Sequence, residues 1–195
     1  MEVLDQRVER LGIVRSQVII ATSISIAIMG NVSSKNVLKR SGAIPEDEIW
    51  VTNEVGYAAL HFNQHSLLPK YKESISNCLK KRSQEEFLKP QPPLEFIQET
   101  KSLINSAIDL SDGLAGDLQH ILNSSSVGAK IEINEIPMHK WFKENNQYEL
   151  AMCGGEDYQI LMTVLPSHPQ PKTPRTLQGL VRHNLTIFQA VLLHS

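Results

Sequence analysis

Apolar and polar positions change their period several times along this chain, and each change marks an element. Residues 3–11 are polar apart from Val3, Val8 and Leu11, which recur at roughly helical spacing, and an apolar run over residues 18–29 follows, rich in Ile, Val and Thr and closed by Gly30. The pattern predicts a helix and then a buried strand. The run is shorter than the ~20 apolar residues a membrane span needs, and Thr22, Ser23 and Ser25 interrupt it. The preceding Glu2, Asp5 and Glu9 also do not suit a signal peptide. Ser33 or Ser34 is placed to cap a short helix through Lys39, with Gly42 as its stop, and residues 49–52 form a strand after the turn Ile44-Pro45-Glu46-Asp47. Helices are expected at 54–64 and 69–87. Three of the five residues in Lys89-Pro90-Gln91-Pro92-Pro93 are proline, so this stretch is a loop or extended connection; a further helix spans 94–103.

From Ser106 the order becomes strand (106–110), tight turn, helix (112–123), strand (130–134), helix (138–145) and strand (158–165). Such alternation indicates an α/β or α+β sheet domain. Beyond Pro166 the prolines at 169, 171 and 174 break any regular element, and the stretch from Leu177 has no evident partner, so residues 167–195 are expected to be an irregular, divergent tail.

Composition refines this little. Apolar residues make up 41% of the chain, charged residues 21%, and the net charge is -2, which gives no bias towards nucleic acid or an anionic membrane. Cys78 and Cys153 lie far apart and match no metal-binding spacing. Two thiols in a reducing compartment are the default, hence a cytoplasmic location.

Two segments carry candidate chemistry. In Ala107-Ile108-Asp109-Leu110-Ser111-Asp112-Gly113-Leu114, an apolar strand delivers Asp109 and Asp112 to its carboxyl end, and Gly113 permits close backbone approach where a helix begins with unpaired N–H groups. That arrangement suits phosphate together with a hard divalent cation such as magnesium, which prefers carboxylate oxygens. Ser111 offers a hydroxyl donor. The same residues fit a plainer role, with Ser111 or Asp112 simply capping the helix. In Gly154-Gly155-Glu156-Asp157-Tyr158, two glycines precede two acids at the entry to an apolar strand. This exposes backbone and carboxylates at a sheet edge, although a simple turn accounts for the glycines equally well.

Taken together, Ser111-Asp112-Gly113-Leu114, the helix Asp117-Leu118-Gln119-His120-Ile121-Leu122 and Gly154-Gly155-Glu156-Asp157-Tyr158 resemble the carboxyl-terminal domain of thiamine-monophosphate kinases, members of the aminoimidazole-ribonucleotide-synthetase-like superfamily. The resemblance extends back through residues 37–43 and 47–52 and covers roughly residues 18–164. It implies a mixed sheet flanked by helices and the ATP-dependent phosphorylation of thiamine monophosphate to the diphosphate by direct transfer, with magnesium. By motif match, Asp109 and Asp112 would hold the metal, Arg40 and Ser111 would contact ATP, and Glu156 would contact thiamine monophosphate, with no covalent nucleophile. Arg40 otherwise reads as a surface cation near a helix end.

The chain also departs from that pattern. The family's preceding ATP-binding domain has no counterpart beyond residues 1–30, expected to be its last helix and strand, and 31–166 would be the synthetase-like domain. Where the family carries Gly-Gly-Asp-Thr, this chain has Gly12-Ile13-Val14-Arg15-Ser16-Gln17, without an aspartate. The Thr-Gly-x-x-Gly-Asp turn becomes Thr52-Asn53-Glu54-Val55-Gly56-Tyr57. The chain thus reads as truncated at both ends, and activity is expected to be impaired unless a homodimer or a separate chain supplies the missing domain. The alternative is a non-catalytic remnant or binding module of the same fold.

Overall fold

The computed structural model describes residue 27, residues 37–165 and the strand residues 186–194. The chain divides into two compact units, Met1–Ser33 and Ser34–Ser195, and every element below belongs to the second. The helix expected at 3–11, the strand at 18–29 and the caps at Ser33 and Ser34 lie outside the described residues. Residues 37–39, the expected end of that short helix, are not helical.

Five strands form one sheet: β1 (Glu48–Val51), β2 (Ile104–Asp109), β3 (Val127–Ile131), β4 (Ile160–Val164) and β5 (Thr186–His194). Their spatial order is β2-β4-β1-β5-β3. The helices are α1 (Tyr57–Asn63), α2 (Pro69–Ser74), α3 (Asn77–Leu88), α4 (Leu94–Thr100), α5 (Leu114–Ser125), α6 (Lys140–Glu144) and α7 (Tyr148–Cys153). The expected α/β combination of a sheet flanked by helices is what forms, and among the described residues the sheet is antiparallel rather than mixed. All four ladders are antiparallel, and the described parallel pairing is the isolated bridge between Val55 and Met138. The reason is local: β4 enters beside the end of β2 and runs back along it, Asp109 facing Ile160 and Ile108 facing Leu161.

Period-two alternation places two sets of side chains on opposite sides of the sheet. Ile49, Val51, Ile108 and Leu161 join the main core with Tyr57 and Leu60 of α1, Leu118 and Ile121 of α5, Phe142 of α6 and Ala151 of α7. Trp50, Ile104, Met162 and Val164 form a second cluster, against which Phe96 and Ile97 of α4 and Leu38 pack. Helix α5, which carries the candidate site at its amino-terminal end, is therefore fixed by its buried face against the sheet.

Several boundaries differ from the sequence reading. The expected helix over 69–87 is broken at Ile75 and Ser76, because Ser76 adopts extended backbone and caps α3, accepting a hydrogen bond from the Leu79 N–H at 3.2 Å. The helix expected at 138–145 is shorter, and α7 follows it as an additional element. Strand β3 starts at Val127, directly after Ser126 turns the chain in a left-handed conformation, φ 55°. The largest correction concerns the expected irregular tail. Residues 186–194 are β5, paired with β1 on one side and β3 on the other. The run Ile187-Phe188-Gln189-Ala190-Val191-Leu192-Leu193 is strand-prone; the prolines upstream and the lack of alternation hid it. Residues 166–185 lie outside the described residues.

A chain ending at Leu165 would expose the edges of both β1 and β3. Each ladder hydrogen bond contributes ~1 kcal/mol net, and total stability is only ~5–15 kcal/mol. The expected outcome is loss of the cooperative thermal transition seen by circular dichroism, with aggregation in size-exclusion chromatography. A shortened chain that unfolds like the full one would mean that β5 is dispensable to the sheet.

Candidate phosphate and metal site

Two turns meet at one end of the sheet. Beyond β2 the chain turns through Leu110-Ser111-Asp112-Gly113 into α5; before β4 it passes through Gly154-Gly155-Glu156-Asp157-Tyr158-Gln159. Backbone hydrogen bonds join them: the Tyr158 N–H donates to the Leu110 carbonyl (2.8 Å), Leu110 N–H to the Gln159 carbonyl (2.8 Å), and Glu156 N–H to the Ser111 carbonyl (2.9 Å). The β2–β4 ladder is thereby carried past the end of both strands. Segments more than forty residues apart in sequence become neighbours.

Two glycines make the contact sterically possible. Gly113 has φ 95°, and a Cβ there would lie 2.8 Å from the Met152 carbonyl oxygen. Gly155 has φ 68°, and its Cβ would collide with the Ser111 carbonyl oxygen. Both therefore combine a backbone conformation that disfavours side chains with a gap that excludes one.

The structure separates the two readings of the first turn. The cap position of α5 is Gly113, and no side chain caps the helix. Asp117, in the first helical turn and buried, reaches back to accept the Asp112 N–H at 3.0 Å. Asp112 therefore does not cap the helix, and its carboxylate is exposed, as is that of Asp109. Burial raises the Asp117 carboxyl above its ordinary value, opposed by the Asp112 N–H and reinforced by the charges of Asp112 and Asp109. Tyr158 is raised chiefly by the charge of Glu156, then by hydrogen bonding to it, with smaller contributions from Asp109 and Asp112. These shared influences mark Asp109, Asp112, Asp117, Glu156 and Tyr158 as one acidic locality.

Such a locality is suited to a hard cation. Asp109 and Asp112 offer exposed carboxylate oxygens whose mutual repulsion a divalent ion relieves. A second grouping, Asp112, Asp117 and His120, brings ligand atoms within 4.8 Å of one another. Asp117 is already committed to the Asp112 N–H, and an imidazole nitrogen suits softer metals better than magnesium. Asp109 and Asp112 each present an exposed carboxylate at this end of the sheet.

The structure thus brings Asp109, Ser111, Asp112 and Glu156 together. The Arg40 carbonyl accepts from the Ser125 hydroxyl at 3.2 Å, at the carboxyl-terminal end of α5, and the preceding Lys39 carbonyl accepts the Ala107 N–H of β2 at 2.9 Å, two residues before Asp109. The Arg40 side chain is exposed, and no described hydrogen bond joins it to Asp109, Ser111, Asp112 or Glu156.

Sequence reasoning passed over Asp157 and Tyr158 as separate functional positions. Asp157, 5% exposed, accepts the Gly56 N–H at 2.8 Å and the Ala58 N–H at 3.3 Å, the first donors of α1. Glu156 and Tyr158, on either side, have φ of 65° and 47°, conformations uncommon for residues with side chains. The available signal was an acid placed between residues that face solvent, too faint to separate Asp157 from Glu156 without the fold.

Comparison with known proteins identifies the family. The family model described as AIR synthase related protein, C-terminal domain, matches residues 45–180. The thiamine-monophosphate kinase of Buchnera aphidicola subsp. Schizaphis graminum is 36% identical over 151 residues, 73% of this chain and 44% of the relative. The crystal structure of thiamine-monophosphate kinase from Stenotrophomonas maltophilia K279a superposes with a TM-score of 0.68 at 24% identity, covering 84% of this chain and 52% of that one. AaThiL complexed with AMPPCP and TMP gives a TM-score of 0.60 at 22% identity, covering 81% and 48%. At these identities the structural likeness establishes the fold. The chain spans less than half the length of curated relatives such as these.

Burial of Asp157 pushes its carboxyl up to about 7 from 3.8, against the hydrogen bonds from Gly56 and Ala58, with the charge of Glu86 on α3 adding a smaller increment. The folded chain therefore retains a proton that the unfolded chain has released, and stability from this group falls as pH rises from about 4 to about 7. Asp157→Asn removes that titration. The melting temperature of the variant relative to the parent should rise across this range, by an amount on the order of a few kcal/mol in stability. A difference independent of pH in thermal unfolding would show that Asp157 does not titrate there.

Proposed function

This chain belongs to the family described as AIR synthase related protein, C-terminal domain, and on that footing we propose that it supplies the phosphate- and metal-binding half of a thiamine-monophosphate kinase. The observation that carries this reading is the hydrogen-bonded meeting of the two turns, which sets Asp109, Ser111, Asp112 and Glu156 at one sheet end.

In the proposed reaction a phosphate oxygen of thiamine monophosphate attacks the γ-phosphorus of ATP. The bond from that phosphorus to the bridging oxygen breaks, and thiamine diphosphate and ADP result. Such transfer depends on positioning and charge neutralisation rather than on a protein nucleophile. Asp109 and Asp112 would hold magnesium, whose contribution when bound is neutralisation of polyphosphate charge. The Ser111 hydroxyl donates to a phosphate oxygen, and the first N–H groups of α5, which lack partners within the helix, offer further donors. Glu156 contacts the thiamine substrate. The assignment of Arg40 to ATP rests on the sequence resemblance.

Two carboxylates supply few of the oxygens that phosphate-bound magnesium ions require, so the active unit draws further ligands from outside these two turns, in the same polypeptide, a second copy or a separate chain. A cytoplasmic setting is supported by Cys78 and Cys153, both exposed and unpaired. No helix among the described residues is long and apolar enough to cross a membrane.

The test mixes the chain with the amino-terminal half of a thiamine-monophosphate kinase, ATP, magnesium and thiamine monophosphate, and follows thiamine diphosphate. Product should form in the mixture, and Asp109→Asn or Asp112→Asn should reduce it by at least the ~10–100-fold that loss of even an outer-sphere metal partner costs. Magnesium-ATP binding without product would favour the non-catalytic binding module, and absence of both would remove the proposal.

A further inference from the structure

The loop before β4 is held from two sides by groups that have no part in the proposed transfer. On one side, Leu110 and Ser111 take the N–H groups of Tyr158 and Glu156. On the other, the buried Asp157 carboxylate takes the N–H groups of Gly56 and Ala58 at the start of α1. Between these anchors Glu156 and Tyr158 are both left-handed and both exposed. A bulky residue adopts that conformation only when its surroundings over-determine it. Here Asp157 points inward while the residues before and after it are turned outward.

We propose that Asp157 is a positioning residue, whose two-point anchorage to the amino-terminal end of α1 holds Glu156 and Tyr158 together as one substrate-facing edge beside Asp109 and Asp112. The proposal builds on the assignment of Glu156 to the thiamine substrate. The edge pairs a carboxylate with an aromatic ring, a combination that favours a cationic ring such as a thiazolium. Two observations support the anchorage: the 2.8 Å and 3.3 Å hydrogen bonds and the near-complete burial of Asp157; the charge of Glu156 raising the Tyr158 phenol agrees with the two side chains sharing one edge. Of the charged groups around α1, Glu86 of α3 bears on this anchor, its charge raising the Asp157 carboxyl. Arg82 of α3 pairs with Glu54 and Glu86 and lies over the Tyr57 ring, whose hydroxyl donates to Glu54.

The experiment uses the whole chain and reads the Tyr158 phenol directly, by ultraviolet absorbance titration, with Tyr158→Phe identifying its contribution. In the parent chain Tyr158 titrates above the ordinary value of about 10. Asp157→Asn, which keeps the size of the side chain but cannot accept both N–H groups, should let the edge come apart, and Tyr158 should then titrate close to the ordinary value while circular dichroism shows the fold intact. Asp157→Ser is the second variant should the first not fold; it too removes the two-point anchor. Thiamine monophosphate binding, measured by calorimetry on the same proteins in the mixture described above, should weaken about 10-fold or more, the low end of what loss of a supporting partner costs. A folded Asp157 variant in which Tyr158 still titrates as in the parent overturns the positioning role, because general destabilisation would not preserve the Glu156–Tyr158 pair. If the parent itself fails to bind thiamine monophosphate, the substrate assignment falls, whereas the tyrosine titration still decides whether Asp157 positions the edge.

Discussion

Three backbone hydrogen bonds, between Leu110-Ser111 and Glu156-Tyr158-Gln159, hold the candidate site together. They contribute little individually, ~1 kcal/mol each on net, yet they alone extend the β2–β4 ladder beyond the point where both strands end. Without them the Asp109–Asp112 turn and the Gly154–Tyr158 turn would be two unrelated surface loops. The antiparallel register, with Asp109 opposite Ile160, determines which residues meet. A shift of one residue would turn Glu156 inward and Asp157 outward. The core beneath has to be rigid for this to hold, and the buried side chains of α5 and β4 make it so.

Much of this was legible in the sequence because the signals were local. An apolar strand, an aspartate-rich turn and a glycine at a helix start are written in consecutive residues, and β2 and α5 lie within two residues of where periodicity put them. The antiparallel sheet was not legible, because ladder direction depends on which strands become neighbours and not on any one segment. Strand β5 was hidden for a related reason. Its residues have no alternation, and pairing on both edges supplies the order that the sequence pattern lacks.

The role of Asp112 shows where local reasoning stops. Helix-start statistics favour aspartate as a cap, and they were right that an aspartate satisfies a donor at this helix end. The residue responsible is Asp117, reaching back from the first turn. That substitution frees the Asp112 carboxylate for solvent, so the arrangement that stabilises the turn is also the one that leaves a ligand available. Arg40 matches the family's motif in sequence, while its described hydrogen bond is made by its backbone carbonyl.

The left-handed conformations at Glu156 and Tyr158 complete the physical account. Each such residue costs on the order of 1–3 kcal/mol, a substantial fraction of what a domain has to spare. Hydrogen bonds to an ionised carboxylate contribute ~1.5–3 kcal/mol, so the two that Asp157 accepts are of the size needed to offset that strain, while the bonds to Leu110 and Ser111 fix its direction. Burial works against the ionised form of Asp157 and pulls its titration towards neutrality. The loop is therefore held by hydrogen bonds that favour the charged form of the anchor, in surroundings that resist the charge. A turn needed only to connect α7 to β4 would have no use for such an arrangement, since glycine at both strained positions would remove the cost. Retaining Glu156 and Tyr158 there is consistent with a requirement for their side chains.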